Sequence, residues 1–418
     1  MLGNASFVKE PYRTLARAIG LSCAILFMAF TFTLVYCVKG ELLAYAQHVY
    51  SAGVTHYNLL IGAIIITLVL QALQMVIVWL LPLPLRVHAL TYLPSCLGLV
   101  MLTNITPEVI AHFHFGLWTW IAPLLLILYV LAAILARHLC KPVRHVHDAS
   151  LFFVSNYGIL LVLLALSACI DLSRDTFLME LKQERLIVEH RYEEAARVGE
   201  TCLDPTRRML CLRAFALAQT DELAECLFDM PQLHGSDGLL CVEDTCRRLR
   251  RFDTQNICRT LGAYCGTVSS TDSYLRLLLE HLDAQQDSLL QVDTAYIASS
   301  DSIRLVHEKL TARNLHQQRL ALEYYTLSQL LSRQLDSLPA LLDRRAQLRG
   351  DTTHIDPLPR AYAEAICLID TLKADTATLA RLHNYQQMCD TISHPIARRN
   401  LSRRKFGNTY WWYYDFGF

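Results

Sequence analysis

The sequence predicts an all-α protein in two parts. An N-terminal transmembrane helical bundle of about five spans occupies residues 1–170, and a soluble array of helical hairpins occupies residues 171–397. A basic-aromatic tail follows at 398–418. Three observations predict this: a sharp partition of charge, a series of membrane-length apolar stretches, and helical periodicity with no persistent strand alternation.

The chain has 418 residues, with 38 Lys+Arg balancing 38 Asp+Glu. Residues 1–170 hold 8 basic and 4 acidic residues, whereas 171–418 hold 30 and 34. The second part is therefore close to the roughly 25% charge of soluble domains, and the first is far too apolar for one. A single soluble globule, a disordered chain and a polybasic nucleic-acid binder are excluded.

A bilayer core requires about 20 apolar residues in a helix, because backbone groups find no water there. Five stretches meet or approach this: Ile19–Val38, Leu59–Leu81, Ala89–Ile105, Phe115–Ala136 and Leu151–Ile170. The third is short and contains Pro94. The first is too long for a signal-peptide core, and Lys39-Gly40-Glu41 follows it instead of a small-residue cleavage site, so it reads as a retained helix.

Basic residues in short loops orient a membrane chain. Lys9, Arg13, Arg17, Arg86, Arg137, Lys141 and Arg144 fall on one side under five spans, and only Lys39 on the other. This places the N-terminus in the cytoplasm and everything after Asp171 outside, in the periplasm of a Gram-negative cell. Without the third span the parity reverses, and the basic clusters are then split between the two sides.

Polar residues within the spans are few. Gln71 and Gln74 share a helix face, and Asn156 lies in the fifth span. Such groups serve a substrate path or, more ordinarily, interhelical hydrogen bonds. No Asp, Glu, Lys or Arg sits at mid-span, which argues against an ion-coupled pump. His112 and His114, flanking Phe113 in the outer loop before the fourth span, alternate as ligands can, but two imidazoles alone do not make a site. They read as interface residues beside Trp118 and Trp120, and His138, His145 and His147 as headgroup contacts.

The remaining pattern is helical. Phe177, Leu178, Leu181, Leu186 and Val188 form one apolar stripe, and Arg207–Gln219 a further helix opened by Pro205. A stripe through Leu223, Cys226, Leu227 and Phe228 follows. Amphipathic segments continue at Thr254–Cys265, Ser273–Leu290, Ser302–Arg313, Gln317–Leu335, Arg360–Leu372 and Thr376–Met388. Antiparallel pairs of this kind suggest a helical-repeat solenoid. The segment YEEAARVGE, with Tyr192, Ala195 and Ala196, resembles the second helix of a tetratricopeptide repeat (TPR), and AYAEAICLID echoes it with Tyr362, Ala363 and Ala365. The repeat's Trp-led signature and its 34-residue period are absent.

A broader likeness rests on LRAFALAQTDELAECLFDMPQ (Leu212–Gln232), LPRAYAEAI (Leu358–Ile366) and FGNTYWWYY (Phe406–Tyr414), following several apolar spans. Together these resemble an uncharacterised family of multipass inner-membrane proteins of Bacteroides-type bacteria. The resemblance implies a TPR-like external domain and brings no activity with it.

No phosphate-binding loop, nucleophile elbow, zincin or dinucleotide motif is present. Asp351, His354 and Asp356 cluster in a linker bounded by Gly350 and Pro357, where a solvated loop explains them as well as a metal does. Fourteen cysteines, nine after residue 171, invite disulfides in an oxidising compartment. Cys211 and Cys226 fall on consecutive helices and are close enough in topology to pair. Cys258 and Cys265 are too far apart within one helix, and Cys241 and Cys246 lack zinc spacing.

Arg398, Arg399, Arg403, Arg404 and Lys405 precede NTYWWYYDFGF, in which seven of eleven residues are aromatic. Such a tail packs over the open end of the helical array or docks at the membrane interface. The expected function is a non-enzymatic membrane scaffold whose partners are the bilayer and a periplasmic or envelope protein, without nucleic acid. No catalytic, cofactor-binding or metal residue is assigned. The alternative is a membrane enzyme or transporter component acting on a lipid-linked or envelope substrate, with Glu41, His112 and His114 as the residues to watch.

Overall fold

The computed structural model describes residues 9–81, 83–103, 118–139, 149–170, 175–240, 252, 254–262, 270–292, 297, 301–349, 358–370 and 375–417. It divides into two compact units, Met1–Leu181 and Lys182–Phe418. Every regular element among the described residues is helical.

The first unit starts with α1 (Lys9–Thr33), extended by a π-helical turn at Leu34–Val38, and the short α2 (Gly40–Tyr50). Helix α3 (Leu59–Leu80) opens on Asn58, whose side chain accepts from the Leu60 and Ile61 amides at 3.0 and 3.1 Å. A 3₁₀ segment (Leu85–Tyr92) leads into α4 (Leu93–Thr103), followed by α5 (Trp118–Leu139) and α6 (Ala149–Cys169).

Five stretches are long and apolar enough to cross a membrane: Thr14–Val38, Leu59–Leu80, Leu85–Thr103, Trp118–Leu135 and Ser150–Cys169. The third accommodates Pro94 in the first turn of α4, where no intrahelical N–H partner is lost. It is 56% buried, against 17–28% for the other four, which makes it the inner helix of the unit.

The outward surface of this unit inverts the soluble pattern. On α3 the small or polar Ala63, Thr67, Gln71 and Gln74 are buried, while Leu68, Val69, Met75 and Trp79 are exposed. On α6 Asn156 is fully buried, while Leu151, Val154 and Val162 are exposed. Water would penalise this arrangement and hydrocarbon favours it, since polar groups in lipid must find partners inside the bundle. They do. Gln71 donates to Gln74 at 3.0 Å and Gln74 to Thr91 at 3.0 Å. Asn156 accepts from the Ala89 amide and donates to the Leu85 carbonyl, both at 2.8 Å. Of the polar residues read from the sequence as candidate path or bundle contacts, Gln74 and Asn156 thus bond between elements, while Gln71 bonds to Gln74 within α3.

The second unit comprises the rest of α7 (Asp175–Val188), α8 (Tyr192–Arg197), α9 (Arg207–Gln219) and α10 (Leu223–Cys226). Further along are α11 (Thr254–Leu261), α12 (Thr271–Leu290), α13 (Asp301–Leu331) and α14 (Leu338–Arg349). The last four are α15 (Arg360–Ile369), α16 (Thr376–Thr391), α17 (Pro395–Phe406) and α18 (Tyr410–Phe416).

The main core gathers Phe215, Leu227, Tyr274, Leu278, Tyr324, Leu327, Tyr362 and Tyr410. A second cluster joins Cys367, Leu382, Tyr385, Phe406, Trp411 and Trp412.

Three details correct the sequence reading. The stretches expected as separate helices at Ser302–Arg313 and Gln317–Leu335 form the single 31-residue α13, because Asn314-Leu315-His316 contains neither Pro nor Gly to stop it. Val188 is half exposed; Ile187 takes its place in the core. The first loop after α1 is largely helical, and its α2 packs Leu42, Tyr45 and Ala46 against Leu181.

The tail is packed. Tyr410, Trp411, Trp412 and Tyr413 are each at most 5% exposed. Thr409 caps α18 by accepting from the Trp412 amide. The Tyr410 and Tyr413 hydroxyls donate to the Leu330 and Leu331 carbonyls at 3.1 and 2.7 Å, satisfying the end of α13.

Candidate partner-binding groove

The groove lies beside the α12–α13 pair of the second unit. Apolar packing on α12 runs from Tyr274 through Leu275, Leu278 and Leu279 to Leu282. Beyond Leu282 the sequence turns polar, and hydrogen bonds replace that packing. Asn314 on α13 donates to the Leu282 carbonyl at 3.3 Å and to Gln286 at 2.7 Å. Gln318 donates to the Leu282 carbonyl and to Asp283, and His307 meets the Leu289 carbonyl at 3.0 Å. Asp283 is also held by both of its oxygens to Arg344 of α14 at 2.6 Å.

A cavity of about 770 Å³ opens alongside. Arg259 and Gly262 border it from α11, with His281, Gln285, Ser288, Leu289 and Val292 on the α12 side and Leu310, Arg313, Asn314 and Gln317 on α13. Gly262 adopts φ +137°, and a Cβ there would come within 3.0–3.1 Å of Leu282 and Leu278, so the end of α11 approaches α12 as only glycine permits. Among the described residues the lining mixes basic, neutral polar and apolar side chains and carries no acidic one. Leu310, in the lining, is 46% exposed, and Leu290 of α12 and Val306 of α13 are 70% and 56% exposed.

A second cavity of about 440 Å³ carries His316, Arg319, Arg345 and Arg349 together with Asp221 and Glu323. Burial pushes the Glu323 carboxyl up, and Arg345 and Arg349 oppose the shift. The Arg345 guanidinium also stands 5.3 Å over the Tyr362 ring. Both signs of charge meet here, so this cavity is less selective for an anion than its arginines suggest.

Arg213 and Glu364 are among the buried ionic groups of the unit. Arg213, 3% exposed, donates to the Ala196 carbonyl at 3.0 Å and the Leu227 carbonyl at 3.3 Å, and burial lowers its pKa. Glu364, 1% exposed, accepts from the Tyr410 amide at 2.6 Å, with Arg381 3.6 Å from its other oxygen. Burial pushes Glu364 up to about 7, against the opposing pull of the Tyr410 amide, Arg360 and Arg381. Sequence reading missed Glu364. The signal was an acid on the 361/364/365/368 stripe of an otherwise apolar helix face.

Glu41 sits in the first turn of α2. Glu108, His112, His114, Lys141, Arg144, His145, His147, Cys241, Cys246, Cys265, Asp351, His354 and Asp356 lie outside the described residues, as do the side chains of Arg137 and His138. Cys211 and Cys226 are unbridged. No three His, Cys, Asp or Glu side chains group closely enough to hold a metal among the described residues.

Residues 269–417 match a family of unknown function (DUF6057). The match covers less than half of the chain and lies wholly in the second unit. It includes LPRAYAEAI and FGNTYWWYY, and begins after LRAFALAQTDELAECLFDMPQ. Neither the comparison with curated proteins nor that with solved structures gave a match.

Proposed function

We propose that this chain is a membrane-anchored scaffold whose second unit is a divergent TPR-like array, held on the periplasmic side of the inner membrane, that binds a protein partner. The observation carrying this reading is the open, mixed basic and apolar groove along α12 and α13. Grooves that bind peptides combine exposed apolar contacts with a few polar groups that fix orientation.

The TPR-like assignment draws on the small-residue contact of α8 with α9. Ala195 and Ala196 are buried there, and the Tyr192 ring meets Phe215 edge-on at 6.3 Å. The periplasmic placement draws on the loop charge bias across five spans.

A photoreactive residue placed at Leu310, with another at the exposed Arg304 as control, tests partner binding in intact membranes. A discrete adduct expected only at Leu310 supports the reading, and identical profiles at both positions refute it. A reporter active only in the cytoplasm, fused after Phe418, tests orientation separately; its activity would overturn the periplasmic placement.

A further inference from the structure

We infer that the outward face of α17 docks on an anionic phospholipid surface. The helix, PIARRNLSRRKF, carries Arg398, Arg399, Arg403, Arg404 and Lys405 and no acidic residue. Its inner face is clamped: Ser402 and Phe406 are buried, and the Trp412 indole donates to the Arg399 carbonyl at 3.4 Å. The Arg403 guanidinium and the Lys405 ammonium stand 5.7 and 5.5 Å over the Trp412 and Phe406 rings. These rings therefore hold the helix from behind and are not themselves available to a membrane.

What remains outward is Arg404, with Lys405 and Arg403 beside it, and the apolar Ile396 and Leu401 at 65% and 44% exposure. Arg398, Arg403, Arg404 and Lys405 make no ion pair with an acid among the described residues. The helix dipole accounts for cations in the last turn. Arg398, whose Nε donates to the Ile392 carbonyl at 2.9 Å, and Arg399 are engaged within the fold, but the dipole does not account for the exposed Ile396 and Leu401. Cations flanking apolar side chains on one helix face fit phosphate headgroups above an acyl boundary.

The full chain is reconstituted in vesicles of phosphatidylcholine, with or without phosphatidylglycerol, and hydrogen exchange is followed over residues 395–406. Protection is expected with phosphatidylglycerol only, lost at high salt, and reduced about fivefold for each cation removed in R404Q and R404Q/K405Q. Unchanged thermal unfolding of these variants confirms that they fold. Equal exchange in the two lipids overturns the inference. So does protection by an oligonucleotide or an acidic peptide in phosphatidylcholine vesicles where phosphatidylglycerol alone gives none, since the face would then serve a macromolecular polyanion.

Discussion

Replacing Glu364 with Gln separates the charge of this side chain from its shape. Its carboxyl titrates near 7 in the folded protein and near its ordinary value of 4.5 when unfolded. Between these values the folded chain holds a proton that the unfolded chain releases, so the contribution is complete below pH 4.5 and is lost as pH rises through 7. A shift of this size corresponds to about 3 kcal/mol, and the side chain is buried enough for the conversion to hold as an order of magnitude. Glutamine keeps an oxygen for the Tyr410 amide but cannot ionise.

The expected outcome is that wild type loses about 3 kcal/mol more than E364Q between pH 4.5 and 7.5. The measurement is denaturant unfolding of the full chain in detergent, read by tryptophan emission. Amide exchange of α18, corrected for intrinsic pH dependence, should follow the same difference. If E364Q loses as much stability over this range as wild type, Glu364 is not the titrating group and the reasoning fails.

Other outcomes follow from the same geometry. R213M should destabilise by about 2–4 kcal/mol in thermal unfolding, because the Ala196 and Leu227 carbonyls lose a buried donor; R213K, lacking the fork, should recover little. N156L should cost about 1–2 kcal/mol in mixed-micelle unfolding, since the Leu85 carbonyl and the Ala89 amide lose their partner inside the bundle. R344A, despite two contacts of 2.6 Å to Asp283, should cost under about 1 kcal/mol in the same assay as R213M, because both side chains of that pair are about one-third or more exposed.

Much of the architecture was legible because it rests on local pattern. Spans are visible as apolar length, and the pairing of Gln71 with Gln74 follows from three-residue spacing on one helix. What depends on distant chain was not legible. Asn156 finds its partners 67 and 71 residues away, and no periodicity announces that meeting. Glu364 similarly meets Tyr410 across 46 residues. The unbroken course of α13 was misread because its apolar stripe lapses near Asn314, where polar side chains serve α12 instead of the core. The groove was illegible for a related reason: its lining comes from three helices, and its emptiness is a property of packing that composition does not carry.

The bonds from Tyr410 and Tyr413 to Leu330 and Leu331 span 80 and 82 residues. At roughly 5–20 residues per second of synthesis, about 4–16 seconds separate the appearance of the two ends. During that interval the end of α13 presents an uncovered apolar face to whatever surrounds it. Helices α12 and α13 are free to pair early, being close in sequence, whereas closure of the core waits for the aromatic helix. Sequence separation thus favours an order of assembly for the second unit, hairpins first and aromatic seal last.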